Sequence, residues 1–288
     1  MIQISVTTDR ARLDRVEQVL REHGAQSVTL RDAAEDPVLE PLPGETPVWP
    51  EVIVSGLFNN DVSAEMLRQA LDGLIHTSVF EVMTIVERDW ADACLNDLKP
   101  LRFGRRLRVC PSSYRDLEPN TITIWLDPGL AFGTGTHPTT ALCLEWLDAN
   151  PLHEAEVIDY GCGSGILSLA AIKLGANHVR AVDIDPQALA ATLDNAARNG
   201  ISHRQIIACP PAELSDASAD LLLANILARP LIELAENFAR RLRTGGRLIL
   251  SGMLTCQTAQ LTSAYARWFD FAPVRSHDGW ALMEGTKR

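Results

Sequence analysis

The stretch Val157-Ile-Asp-Tyr-Gly-Cys-Gly-Ser-Gly-Ile-Leu-Ser-Leu-Ala-Ala171 decides the fold. An apolar run ends in an acid, three glycines follow at every second position, and a helical apolar pattern comes next, so it reads as strand, tight loop, helix. Lacking Cβ, Gly161, Gly163 and Gly165 accept positive φ and let a ligand come to contact distance of the backbone. The helix start beyond them offers free N–H groups. A nucleotide-like ligand is expected there.

Spacing narrows the ligand. A dinucleotide fingerprint, G-x-G-x-x-G, needs its third glycine where Ile166 stands, whereas this loop runs G-x-G-x-G. The next apolar strand, Val179-Arg-Ala-Val-Asp183, ends in Asp183, 22 residues after Gly161, close to the roughly 20-residue offset of a ribose-binding acid. The pattern Asp159-x-Gly-x-Gly-x-Gly165 with Asp183 resembles the S-adenosylmethionine site of Rossmann-like methyltransferases, where the glycines approach methionine and ribose instead of a pyrophosphate. Cys162 has no histidine nearby in sequence to activate it and reads as a small buried thiol.

Composition bounds the rest. A chain of 288 residues has room for about two domains, and 46% hydrophobic residues suffice for packed cores. Its six cysteines, Cys94, Cys110, Cys143, Cys162, Cys209 and Cys256, form no C-x-x-C pair. That suggests neither a zinc site nor a disulfide framework and fits a reducing cytoplasm. The start alternates like a strand and has no basic-then-apolar leader, and no run of about 18 apolar residues is present, so secretion and membrane insertion are disfavoured. A formal charge of −11 disfavours a general nucleic-acid binder, which needs clustered Lys and Arg, and suits a basic partner. No metal is expected, and the protein is expected to be a monomer.

Along residues 1–88 the pattern gives strand Ile2–Thr7, helix Asp9–His23, strand Gln26–Arg31, strand Glu51–Phe58, helix Ser63–Leu74 and strand Phe80–Val86. That β-α-β-β-α-β order predicts a ferredoxin-like module. Its proline-rich connection, Asp36–Pro50, reads as a stiff surface loop. Nothing in the module resembles chemistry, so it is expected to hold a macromolecular substrate. Glu87–Leu98 reads as a short helix, and Leu107–Cys110 with Thr121–Trp125 as a small antiparallel layer. A second glycine-rich loop, Asp127-Pro-Gly-Leu-Ala-Phe-Gly-Thr-Gly-Thr-His-Pro-Thr-Thr140, then leads into a helix through Trp146. Pro138 suits its first turn, and the Thr140 hydroxyl near that N-terminus can bond a carboxylate. The bland alternative is that Thr139 and Thr140 only start the helix. His137, a lone histidine in a turn, reads as structural.

Beyond the cofactor loop come helix Pro186–Asn199, capped by Asp185, strands Arg204–Ala208 and Asp220–Ala224, helix Pro230–Arg243, strand Arg247–Leu250, helix Thr258–Phe269 and two final strands. This alternation is a doubly wound sheet, which binds ligands at the carboxyl ends of its strands. Asn225 lies at one such end. Followed by apolar residues, it resembles the N/D-P-P-Y/F element of amino methyltransferases, which grips the attacking nitrogen.

Together, the 127–140 loop, Asp159-Tyr-Gly-Cys-Gly-Ser-Gly-Ile-Leu167, Asp183-Ile-Asp-Pro186 and Ala224-Asn-Ile-Leu227 resemble the ribosomal protein L11 methyltransferase family, and the likeness extends over nearly the whole chain. The resemblance implies an α/β fold: a Rossmann-like class I methyltransferase domain over 116–288, a linker over 89–115, and a smaller α+β ferredoxin-like substrate-recognition domain over 1–88. It implies S-adenosyl-L-methionine as cofactor and S-adenosylhomocysteine as product. The substrate it implies is amino groups, lysine side chains and the N-terminal amine, of large-subunit ribosomal protein L11. By matching motif, Thr140, Gly161, Gly163, Asp183 and Asn225 contact the cofactor, and Asn225 also holds the amine. No carboxylate or histidine stands out as general base, and none is assigned. The competing readings are a methyltransferase acting on amino groups of RNA or DNA, a dehydrogenase, and a regulator that only senses S-adenosylmethionine.

Overall fold

The structure, a computed structural model, describes residues 1–34, 48–75, 80–85, 100–114, 118–127, 135–214 and 218–288. The helix expected over 87–98 and nearly all of the proline-rich loop therefore lie outside the described residues, as do residues 128–134 of the second glycine-rich loop. The chain divides into two compact units, Met1–Trp90 and Ala91–Arg288.

In the N-terminal unit β1 (Ile2–Asp9), β2 (Ser27–Asp32), β3 (Glu51–Phe58) and β4 (Phe80–Thr84) form an antiparallel sheet in the order β2-β3-β1-β4. Its helices are Leu13–Glu22 and Ala64–Ala70. The first buries Leu13, Val16, Val19 and Leu20, spaced three and four apart, against Ile4, Val6, Val52 and Val54 of the strands. Ser63 caps the second, its side chain accepting from Met66 N at 3.3 Å. This is the expected ferredoxin-like order, with both helices shorter than their patterns suggested.

The C-terminal unit begins with three short strands, β5 (Leu101–Phe103), β6 (Leu107–Cys110) and β7 (Ile122–Trp125). The expected antiparallel layer is corrected here. Only β5 and β6 are antiparallel, whereas β6 and β7 run parallel because the intervening chain crosses back before β7 starts. Phe103, Leu107, Val109 and Ile124 pack into the main core of this unit. The buried Asp148 carboxylate accepts the backbone N–H groups of Arg105 and Arg106, fixing the β5–β6 turn to helix Pro138–Ala149.

The large sheet is formed by β8 (Glu156–Tyr160), β9 (His178–Val182), β10 (Ile206–Cys209), β11 (Ala219–Asn225), β12 (Leu242–Leu254), β13 (Phe269–Phe271), β14 (Arg275–His277) and β15 (Trp280–Lys287). Its order is β10-β9-β8-β11-β12-β15-β13, with β14 paired to β15. Strands β8 to β12 are parallel and β15 is antiparallel. Being covered on both faces, the central strands are almost wholly apolar, as in Leu221–Ala224. The chain winds outward from β8 to β10 and returns to β11 on the other side of β8, so the switch point of the sheet lies between β8 and β11.

Three boundaries differ from expectation. The single helix expected over 230–243 is two, Ala228–Glu233 and Ala235–Arg241, broken at Leu234. Pro230 falls in the first turn, where a missing N–H costs no internal bond. Strand β12 starts at Leu242 instead of Arg247, and three strands, β13, β14 and β15, close the sheet where two were expected. No helix of the described residues is long and apolar enough to cross a membrane.

Candidate active site

The carboxyl ends of β8, β9, β11 and β12 surround a cavity of about 530 Å³, within the size range of small-ligand pockets. All five positions singled out in the sequence line it: Thr140, Gly161, Gly163, Asp183 and Asn225.

Asp183 ends the β9 run. Its Oδ2 accepts the Gly163 N–H at 2.9 Å and its Oδ1 the Asp185 N–H at 3.0 Å. Each carboxylate oxygen keeps a lone pair for a ligand hydroxyl. The acid thus shapes the glycine loop as well as facing the cavity. Asp185 caps helix Pro186–Arg198 through Gln187 N at 2.9 Å, as its position before Pro186 predicts.

Asn225 terminates β11. Its Nδ2 donates to the Thr140 Oγ1 at 3.3 Å, which fixes the amide so that Oδ1 remains an acceptor. Thr140 is 2% exposed and accepts that bond with a lone pair, keeping its own proton to donate. His137 caps helix Pro138–Ala149: its Nδ1 lies 2.7 Å from Thr139 Oγ1, and its ring meets Trp280 edge-on at 4.7 Å. The structural reading of His137 holds, although the ring also lines the cavity.

Beneath the loop, Asp159 is 1% exposed and accepts from Ser168 Oγ at 2.6 Å. Its Oδ1 has no hydrogen-bond partner among the described residues. Burial pushes this carboxyl up to about 6, against the pull of its bonds to Ser168 and with a small further push from Asp183. Burial likewise drives the Cys162 thiol far above its ordinary range, and Thr192 Oγ1 donates to its sulfur at 3.3 Å. A thiol held protonated is no nucleophile, which agrees with the sequence reading.

Sequence reasoning missed the apolar lining. Ile184 is 84% exposed and Leu227 55% exposed, both in the cavity, and large apolar groups left in water favour an occupant that covers them. Ile184 carried a usable signal, an apolar residue directly after a strand-ending acid. Trp280 and Gly252 carried none, since their placement depends on strand pairing far along the chain. No group of three or more potential metal ligands occurs among the described residues.

A family model for ribosomal protein L11 methyltransferase (PrmA) matches residues 1–288. The chain belongs to the ribosomal protein L11 methyltransferase family. Relatives of that name include a protein from Marinobacter nauticus, 44% identical over 293 residues that cover all of this chain and 98% of the relative. Another, from Hahella chejuensis, is 46% identical over 287 residues, covering 99% and 98%. The crystal structure of the ribosomal protein L11 methylase from Lactobacillus delbrueckii subsp. bulgaricus is 32% identical, with a TM-score of 0.61 over 66% of this chain and all of that one. The chain is accordingly an S-adenosylmethionine-dependent methyltransferase with a Rossmann-like sheet. The cavity fits that cofactor: a glycine loop without side chains, an acid with spare acceptor capacity for ribose hydroxyls, and apolar groups awaiting a flat heterocycle.

Proposed function

We propose that this protein transfers methyl groups from S-adenosylmethionine to amino groups, lysine side chains and the N-terminal amine, of large-subunit ribosomal protein L11. The observation that carries this reading is Asn225 at the end of β11, its amide oriented by Thr140, in the same cavity as the glycine loop and Asp183. Thr140, Gly161, Gly163 and Asp183 hold the cofactor, with Asp183 on the ribose hydroxyls and the Thr140 hydroxyl on the methionine carboxylate. The bound cofactor supplies an electrophilic methyl group. Asn225 Oδ1 and the Ile226 carbonyl accept the amine hydrogens and aim the nitrogen lone pair. Catalysis on this reading is chiefly alignment. A lysine amine, with a reference pKa of about 10.4, is neutral roughly once in a thousand near pH 7, so it must lose a proton before attack. Asp183, the carboxylate of the described cavity, is assigned to the ribose hydroxyls, and water takes that proton.

Residues 1–88 form the recognition domain, 89–115 the linker and 116–288 the catalytic domain; the protein works in the cytoplasm as a monomer and contacts no nucleic acid directly. The test offers the full-length protein labelled S-adenosylmethionine together with unmethylated ribosomal proteins. Label on L11 is expected, and label on ribosomal RNA alone, or on nothing, rejects the reading.

A further inference from the structure

At the carboxyl ends of three adjacent strands, β8, β11 and β12, one apolar residue is wedged between two glycines. Ile226, the first residue past β11, lines the cavity beside Asn225, and its N–H donates to Ser251 O at 3.1 Å. The next residue of β12 is Gly252, with φ +92°, at the point where pairing with β15 shifts register between Ser251 and Met253. A Cβ at Gly252 would fall 2.8 Å from Ile226 N, 2.7 Å from its carbonyl carbon and closer still to its carbonyl oxygen. Those are backbone atoms, which cannot swing aside. On the opposite side a Cβ at Gly161, with φ +81°, would run into Ile226 Cγ2, a side-chain methyl. The Ile226 peptide is therefore gripped by β12, while its side chain rests on the cofactor loop.

We infer that the β12 bulge at Gly252 is a positioning element for the methyl acceptor. It sets the Asn225–Ile226 peptide and, through the Ile226 side chain, holds that peptide in register with the Gly161 loop. Gly252 lines the cavity, and on this account it acts on the amine through Ile226. The inference rests on the proposal that Asn225 and the Ile226 carbonyl hold the amine. It makes the two glycines unequal: a side chain at 161 meets a movable methyl, whereas one at 252 displaces the peptide that aims the nitrogen.

The experiment compares variants of the full-length protein for kcat with purified L11, for S-adenosylmethionine affinity by calorimetry and for folding by circular dichroism. Gly252→Ala should lower kcat about a hundredfold, the scale of an ångström misplacement of a reacting group. Its cofactor affinity should stay within about threefold of wild type, because the lost contact acts at the transition state. Gly161→Ala should lose affinity as well as rate. Adding Ile226→Ala to Gly161→Ala should restore part of the affinity, since the obstruction is a side chain, and adding it to Gly252→Ala should restore no rate. Wild-type kcat in Gly252→Ala, or rescue of that variant by Ile226→Ala, overturns the inference. If Gly252→Ala fails to fold, the Gly161 pair decides, and absence of any recovery in the double variant overturns it. Asn225→Ala separates the two levels: wild-type transfer there rejects the amine-holding proposal itself, whereas a crippled Asn225→Ala beside an active Gly252→Ala rejects only the bulge.

Discussion

Residues 1–90 carry 7 arginines and no lysine against 16 Asp and Glu, a formal −9, whereas residues 91–288 carry 19 Lys and Arg against 21 Asp and Glu, a formal −2. Among the described residues of the first unit no acid is buried; in the second, Asp148 and Asp159 are. The described acids of the first unit thus stay in water, where they act through a long-range field and favour a basic partner. The second unit takes carboxylates inside, where Asp148 accepts from the backbone N–H groups of Arg105 and Arg106 and Asp159 accepts from Ser168 Oγ. Surface charge can serve recognition with little geometry, whereas a catalytic site needs each polar atom placed.

If that division is right, the largest effect of a single side chain belongs to Asn225. Asn225→Ala should lower kcat by roughly a thousandfold, the upper end for one oriented polar group, with cofactor affinity changed by less than about threefold. Single-turnover transfer and calorimetry on the same preparation check this. Equal losses in both quantities would make Asn225 chiefly a cofactor contact.

Next comes the boundary itself. The two hydrophobic cores of the C-terminal unit use residues of that unit alone, so a fragment Ala91–Arg288 should fold, as circular dichroism can verify. It should bind S-adenosylmethionine normally yet transfer to L11 about a hundredfold more slowly, having lost the surface that supplies proximity. In the full-length protein KM for L11 should rise with salt as the acidic unit's field is screened. A folded fragment working at the full-length rate erases the functional contrast between the units.

Asp183→Ala probes the cofactor side and should weaken S-adenosylmethionine binding about ten- to a hundredfold, or 1.5–3 kcal/mol for charge-assisted hydrogen bonds. Because Asp183 also accepts from Gly163 and Asp185, part of that loss is loop order, and Asp183→Asn, which keeps one acceptor, should recover some of it. Unchanged affinity by calorimetry removes Asp183 from the site.

What the sequence allowed one to read follows from range. Asp159, the three glycines, Asp183 and the cap at Asp185 are local: strand, turn and helix start lie within a few residues of one another, and the structure has the strand, turn and helix start where they were read. The parallel pairing of β6 with β7 depends on where a crossover runs, and the break at Leu234 on packing of two short helices. Neither leaves a periodic trace. Gly252 is the sharpest case: in the run Ser251-Gly-Met253 it looks like a weak strand residue, and only the approach of Ile226, 26 positions earlier, gives it meaning.

The smallest expected effect tests the buried acids. Asp159 has its carboxyl raised from an ordinary 3.8 to about 6, mainly by burial, so between those values the folded state binds more protons than the unfolded one. Stability therefore falls as pH rises through that window, and above about 6 the full penalty of a buried charge is present. The raised value corresponds to a penalty on the order of 3 kcal/mol at neutral pH, less whatever relaxation recovers. Asp159→Asn keeps an oxygen to accept the Ser168 hydroxyl and removes the charge, so it should raise the melting temperature at pH 8 by a few degrees. The gain should shrink towards zero at pH 4, where the native carboxyl is already protonated. Melting curves of both proteins across that range supply the check. A pH-independent difference would show that Asp159 is held by its bond to Ser168 and not strained by burial, and the contrast between surface acids in one unit and costly interior acids in the other would lose its energetic half.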